Sequence, residues 1–197
     1  MNIIGITGPT GAGKSALSHY FETKNIPYID ADDVYHKMLV PPSECLDALR
    51  LEFGDEILFA DGTLDRAKLG AIVFSSPEKL EALNRTVLGR VIAKINVMIS
   101  DYANNGFNAV VIDAPTLIES GLDKQCSTVI SILAPTEVRI QRIMERDRLT
   151  REQAELRVKA QKDDSFYTMR SDKVIINDKD KEHLEREISS ALETALN

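Results

Sequence analysis

Gly8-Pro9-Thr10-Gly11-Ala12-Gly13-Lys14-Ser15 follows the apolar run Asn2–Thr7 and leads into a stretch with Leu17, Tyr20 and Phe21 at helical spacing. The octapeptide satisfies the pattern G-x-x-x-x-G-K-[ST] in the strand–loop–helix setting that gives the pattern its meaning. Glycines permit backbone dihedrals closed to other residues and let a ligand approach the main chain. Successive N–H groups of such a loop converge on a concave anion site. The first turn of the following helix adds unpaired N–H donors and its positive dipole end. Gly8, Thr10, Gly11, Ala12, Gly13, Lys14, Ser15 and Ala16 are therefore candidates for holding ATP. Lys14 is expected to reach the β- and γ-phosphates, and the Ser15 hydroxyl to ligate Mg2+. An incidental glycine-rich turn with a stray lysine would require neither the spacing nor the setting.

Outward from the loop, the pattern is βαβ. Ile3, Ile4 and Ile6 read as a strand covered on both faces. Further strands are expected at Tyr28–Asp30, Ala109–Asp113, Thr128–Leu133 and Lys173–Ile176, with helices between several of them. That alternation predicts an α/β fold of three αβα layers around a mostly parallel sheet. Residues 33–104 break the pattern: helix starts recur and no convincing strand is present. Ser43 can cap one helix, and Ser76-Pro77 opens another whose apolar face continues through Leu80, Leu83, Val87 and Val91. Thr150 and Gln153 form a capping box that opens a polar helix to about residue 162, with little apolar surface, as in a mobile lid. A final helix is expected over about 181–196. The expected organisation is a single domain: a core of about 1–32, 105–145 and 165–197, a helical insertion of about 33–104, and a lid of about 146–164.

Composition narrows the classes. In 197 residues, 43% are hydrophobic and 28% charged, as in a globular domain with a sizeable core. A net charge of −7 argues against a general nucleic-acid binder but leaves room for a local phosphate site. No apolar run reaches a membrane span and no leader pattern opens the chain. Cys45 and Cys126 are isolated and read as reduced thiols, so a cytoplasmic location is expected. The sequence carries no signal of oligomeric state. A GTPase would need Asn-Lys-x-Asp, but Asn177-Asp178-Lys179-Asp180 places aspartate where lysine is required. Asp113, which ends a strand, reads equally well as a Walker B carboxylate and as a turn cap before Pro115. Arg139, Arg142 and Arg146 share a helical face opposite Ile140, Ile143 and Met144. Cations so spaced repel unless anions neutralise them, either a triphosphate or the carboxylates of Glu137, Glu145 and Asp147.

Beyond the loop, the chain resembles the dephospho-CoA kinase family along nearly its whole length. The resemblance rests on Ile29-Asp30-Ala31-Asp32, on Asp61-Gly62-Thr63-Leu64-Asp65-Arg66 with Leu69 and Val73-Phe74, and on Asp113-Ala114-Pro115-Thr116-Leu117-Ile118-Glu119. It continues through Arg139 to Ala160-Gln161 and ends on Asp172-Lys173-Val174-Ile175-Ile176-Asn177. It implies ATP-dependent phosphorylation of the ribose 3′-hydroxyl of dephospho-CoA, the last step of coenzyme A synthesis. It also implies an acceptor-facing Asp32, and a carboxylate there can take the proton of the attacking hydroxyl and orient it. Helix capping is the other reading of Asp30 and Asp33, and fits Asp32 less well. By the same resemblance Arg66 and Pro115 belong to the acceptor side, Arg142 and Arg146 to the lid's charge stabilisation, and Asn177 to the adenine side. Arg66 can instead pair with Asp61 or Asp65, and Leu69, Phe74 and Leu83 read as core. Leu88-Gly89 stand where the family usually has His-Pro, Ala16 replaces a threonine, and Thr116 replaces a leucine. Another small-molecule or nucleotide kinase, or an ATP-binding regulator without transfer activity, are the competing readings.

Overall fold

The computed structural model describes residues 1–73 and 75–196; Phe74, expected in the core, lies outside the described residues. The strands are β1 (Asn2–Thr7), β2 (Tyr28–Asp30), β3 (Ala109–Asp113), β4 (Thr128–Leu133) and β5 (Lys173–Ile176), the stretches marked by the apolar runs. The helices are α1 (Ser18–Thr23), α2 (Ala31–Met38), α3 (Glu44–Phe53), α4 (Arg66–Val73), α5 (Pro77–Asn104), α6 (Thr136–Asp147), α7 (Arg151–Lys159), α8 (Asp164–Thr168) and α9 (Lys181–Leu196). The chain divides into two compact units, Met1–Ile29 with Tyr102–Asn197, and Asp30–Asp101.

The first unit is built on a five-stranded sheet of order β2-β3-β1-β4-β5. β1 runs parallel to both β3 and β4, and β5 parallel to β4. The chain leaves β1 towards the β2 edge, returns through β3, then crosses to β4. The carboxyl end of β1 is thus the point where connections diverge, the place where open α/β sheets bind ligands. One face of the sheet presents Ile4, Ile6, Val111, Ile130, Ile132 and Ile175 to Leu17, Tyr20 and Phe21 of the segment after the loop, and to Leu184, Ile188, Ala191 and Leu192 of α9. Each such isoleucine, leucine, valine or phenylalanine, once buried, contributes about 1.5–3 kcal/mol. At Gly5, Leu117 and Cys126 come so near that an added Cβ would lie 2.6 Å and 2.8 Å from them.

One local expectation is corrected. The loop does not open directly into an α-helix: Lys14–Leu17 is a 3-10 turn, and α1 begins only at Ser18. Gly13, left-handed at φ 96°, starts that tighter turn, in which Ala16 N donates to Gly13 O at 3.2 Å. α7 carries little apolar surface, as expected, and what it has is packed: Ala154 is buried and Val158 lies against the cluster of Ile140, Ile143 and Met144 of α6. The capping box at its start is complete, Gln153 N donating to Thr150 Oγ1 at 3.3 Å and Thr150 N to Gln153 Oε1 at 3.0 Å.

The second unit contains α2, α3, α4 and most of α5. Ser43 caps α3, accepting from Leu46 N at 3.0 Å, and Ser76 Oγ accepts from Lys79 N at 3.3 Å at the start of α5. Val87, Val91, Ile95 and Ile99 form the buried stripe of α5. With Leu88-Gly89 in place of a proline, α5 passes unbroken through these positions. Among the described residues, no helix is long and apolar enough to cross a membrane.

Candidate active site

The loop emerges from β1 and is shaped by close packing on its outer side. An added Cβ at Gly8 (φ 137°) would collide with Ile132 O of β4. One at Gly11 (φ 77°) would lie 2.7 Å from Arg139 O and 2.9 Å from Arg139 Cα. Both clashes are with backbone, so only glycine fits. Lys14 folds back over the loop, is 9% exposed, and donates from Nζ to Gly8 O at 2.6 Å. The Ser15 side chain is exposed and Ala16 half-buried. Thr7, fully buried at the end of β1, donates from Oγ1 to Pro115 O at 3.3 Å, tying the loop's entry to the segment after β3.

The outward carbonyls of the loop are held by cations and an amide. Arg139 Nε donates to Thr10 O at 3.0 Å, and Arg142 Nη1 donates to Gly11 O and Ala12 O, each at 3.3 Å. Asn177, 5% exposed at the end of β5, donates from Nδ2 to Ala12 O at 2.7 Å. Arg146 Nη2 approaches Thr10 Oγ1 at 3.4 Å, while its Nε and Nη2 pair with Asp147 at 2.8 and 2.9 Å. Of the carboxylates that could neutralise the arginine face, Asp147 takes Arg146 and Arg157, and Glu137 takes Arg151. Burial pulls the Arg139 guanidinium below its usual range, with Asp164 and Tyr167 opposing that pull; it remains a cation at physiological pH. A cluster of fixed positive charge and oriented amides therefore lies at the carboxyl end of β1.

Asp113 is 6% exposed, and its Oδ2 accepts from the Tyr28 hydroxyl at 2.5 Å. The sequence did not foretell that partner. It also did not reveal that Arg139 and Asn177 address main-chain carbonyls, or that Gln161 reaches the loop. The polar residues closing apolar strands, Thr7, Asp113 and Asn177, were the available signal: a polar side chain at a strand's carboxyl end must find a partner or a ligand.

The remaining expected residues belong to the second unit. Asp30 is the cap of α2, its Oδ1 accepting from Asp32 N at 2.9 Å and Asp33 N at 3.1 Å. Asp33 pairs with Lys37 at 2.7 Å. Asp32 is exposed in the first turn of α2. Arg66 opens α4 and borders a cavity of about 170 Å3 with Tyr35, Leu64, Leu69, Gly70, Val73 and Leu83. Leu69, expected as core, is buried at 5% exposed, and Leu83 is half-buried; both also border this hollow. The carboxylates nearest Arg66 in sequence have other partners: Asp61 accepts from Thr63, and Asp65 accepts from Lys68 N and pairs with its ammonium. Burial pushes the Tyr35 phenol up, and Arg66 partly opposes the shift.

A glycine loop between a central parallel strand and a helical turn, closed by a lysine and ringed by arginines, defines a P-loop kinase. The profile of the dephospho-CoA kinase family matches residues 2–183. A dephospho-CoA kinase of Listeria monocytogenes is 35% identical over 190 residues, covering 96% of this chain and 95% of the relative. One of Arabidopsis thaliana is 34% identical over 192 residues, covering 98% and 83%. The chain belongs to the dephospho-CoA kinase family and is an ATP-dependent phosphotransferase. A dephospho-CoA kinase structure from Campylobacter jejuni superposes with a TM-score of 0.71 at 26% identity, covering 98% of this chain and 96% of that one. A shikimate kinase from Acinetobacter baumannii, at 17% identity and a TM-score of 0.55, shares the fold, covering 98% and 94%.

Proposed function

We propose that this chain transfers the γ-phosphoryl group of ATP to the ribose 3′-hydroxyl of dephospho-CoA, giving coenzyme A. The observation that carries the reading is the loop at Gly8–Ser15, closed by the Lys14–Gly8 contact, in a chain of this family. In this reading the loop amides and Lys14 bind the triphosphate tail. Thr10, Gly11, Ala12, Gly13, Ser15 and Ala16 line it, and Asn177 supports it next to the nucleotide. The exposed Ser15 hydroxyl is a hard oxygen donor suited to Mg2+. When bound there, the ion would neutralise charge on the β- and γ-oxygens. Asp32 accepts the proton of the 3′-hydroxyl and orients its oxygen for in-line attack. Arg142 and Arg146 stabilise charge on the transferred group, with residues 146–164 acting as a lid that excludes water. Arg66, whose neighbouring carboxylates are engaged elsewhere, meets an anionic group of the acceptor, and Pro115 lines the acceptor side.

Incubation of the purified protein with labelled Mg·ATP and a panel of acceptors tests this. Dephospho-CoA should be the fastest acceptor. Faster transfer to a nucleoside monophosphate would replace the acceptor assignment, and ATP binding without transfer to any acceptor would remove the kinase assignment. Asp32→Asn should lower kcat by about 10²–10⁴-fold while Mg·ATP affinity stays the same. An unchanged kcat would take Asp32 out of the mechanism.

A further inference from the structure

Within the first unit, the segment after α7 returns to the loop. Gln161 Oε1 accepts from Thr10 N at 2.6 Å and from Arg139 Nη2 at 3.4 Å. Arg139 in turn holds Thr10 O through Nε at 3.0 Å, so both polar atoms of Thr10's main chain are bound by this pair of side chains. Arg139 is 4% exposed, and its Nη1 lies 4.0 Å from Asp164 Oδ1. Its guanidinium is therefore spent on the loop and on α8, and does not open towards a phosphate.

We propose that Arg139 and Gln161 are positioning residues that set the shape of the phosphate loop from outside and link it to the 146–164 segment. A trans peptide points its C=O and the next N–H in opposite directions. Holding Thr10 O outward with Arg139 turns the Gly11 N–H to the loop's inner side. Holding Ala12 O with Asn177 and Arg142 does the same for the Gly13 N–H. Ala12 N, by contrast, is turned to Pro9 O at 3.2 Å and closes the loop's own turn. A cation against the outer carbonyl also polarises the peptide and strengthens the inner N–H as a donor. Gln161 supplies the connection: it ties the start of the loop to the end of the segment that α7 begins. Displacing that segment would take an acceptor from Thr10 N and from Arg139 together. Triphosphate affinity and the position of residues 146–164 are therefore thermodynamically linked.

The proposal rests on the loop being the ATP site. The test uses full-length protein, with calorimetric binding of Mg·AMPPNP, steady-state kinetics and thermal melting. The variants are Gln161→Ala, Arg139→Lys and the pair. Lysine keeps the charge and most of the stem of Arg139 but loses its fork. Each single variant should raise the ATP KM and the AMPPNP Kd about tenfold, with kcat at saturating ATP within about twofold of wild type and melting unchanged. Because both act on one loop, the double variant should be little worse than either single one. An unchanged ATP KM in folded Gln161→Ala, or fully additive effects in the pair, would overturn the proposal. Wild-type protein that fails to bind Mg·AMPPNP would overturn the site reading on which it stands.

Discussion

Lys14 shows how one side chain can serve two needs. In this structure its ammonium caps the loop on Gly8 O at 2.6 Å, so the charge is held at the loop's mouth with its rotamer already restricted. Lys14→Ala removes the cap on Gly8 O and, on the proposed reading, the charge that would meet the transferred phosphate. The expected loss is about 10²–10³-fold or more in kcat, measurable by single-turnover phosphoryl transfer. Residue identities at the loop were legible because the motif is contiguous. The partners of Asp30 were legible as an alternative, since an aspartate just before a helical run caps it. The contacts of Arg139 were not. A helical face of arginines announces an anion or carboxylates, and peptide carbonyls 129 residues away in sequence leave no mark in a periodicity.

At the scale of elements, α5 carries an avoidable cost. Gly89 sits exposed inside it, and an added Cβ meets nothing within 4 Å. Gly89→Ala should raise stability by about 0.5–1 kcal/mol, read as a shift of the urea midpoint at unchanged slope. The α6–α7 pair depends on carboxylates. The hydrogen bond from Arg151 of α7 holds Glu137 of α6 below 4.5, while Asp147 lies below 3.8 chiefly through its α6 neighbour Arg146, with Arg157 of α7 adding the part that docking contributes. Folded pKa values below the unfolded ones mean that the released state binds protons more readily. Their contribution is complete above about pH 5 and is lost as the pH falls below about 4. Exchange of α7 amides, corrected for intrinsic rates, should be constant from about pH 5.5 to 7.5 and faster near pH 3. Constancy at pH 3 would mean that the small apolar cluster with Ala154 carries the docking unaided. Strand and helix positions were read well where periodicity was long. The 3-10 start after Gly13 was missed because a single turn has no period, and the partners of Ala154 and Val158 were not legible because both look slight in a charged helix.

For the molecule as a whole, stability centres on the sheet of the first unit. Ile130, fully buried in β4, packs among the residues that join the sheet to α1 and α9. Ile130→Ala should cost about 2–5 kcal/mol, seen in the denaturation midpoint. If it cost under about 1 kcal/mol, the sheet core would not be the dominant source of stability. The α/β class, the parallel strands, the helical character of residues 33–104 and the phosphate loop could all be deduced from the chain alone, since each rests on local spacing: alternation of apolar runs, cap residues, and eight contiguous residues with one geometric purpose. The strand order, the burial of Arg139, the grip of Arg139, Arg142 and Asn177 on the loop's carbonyls, and that of Gln161 on the Thr10 N–H emerged only on folding. Those contacts join residues far apart in sequence, and which polar groups meet depends on how helices and strand ends pack in space, a matter that no local pattern encodes.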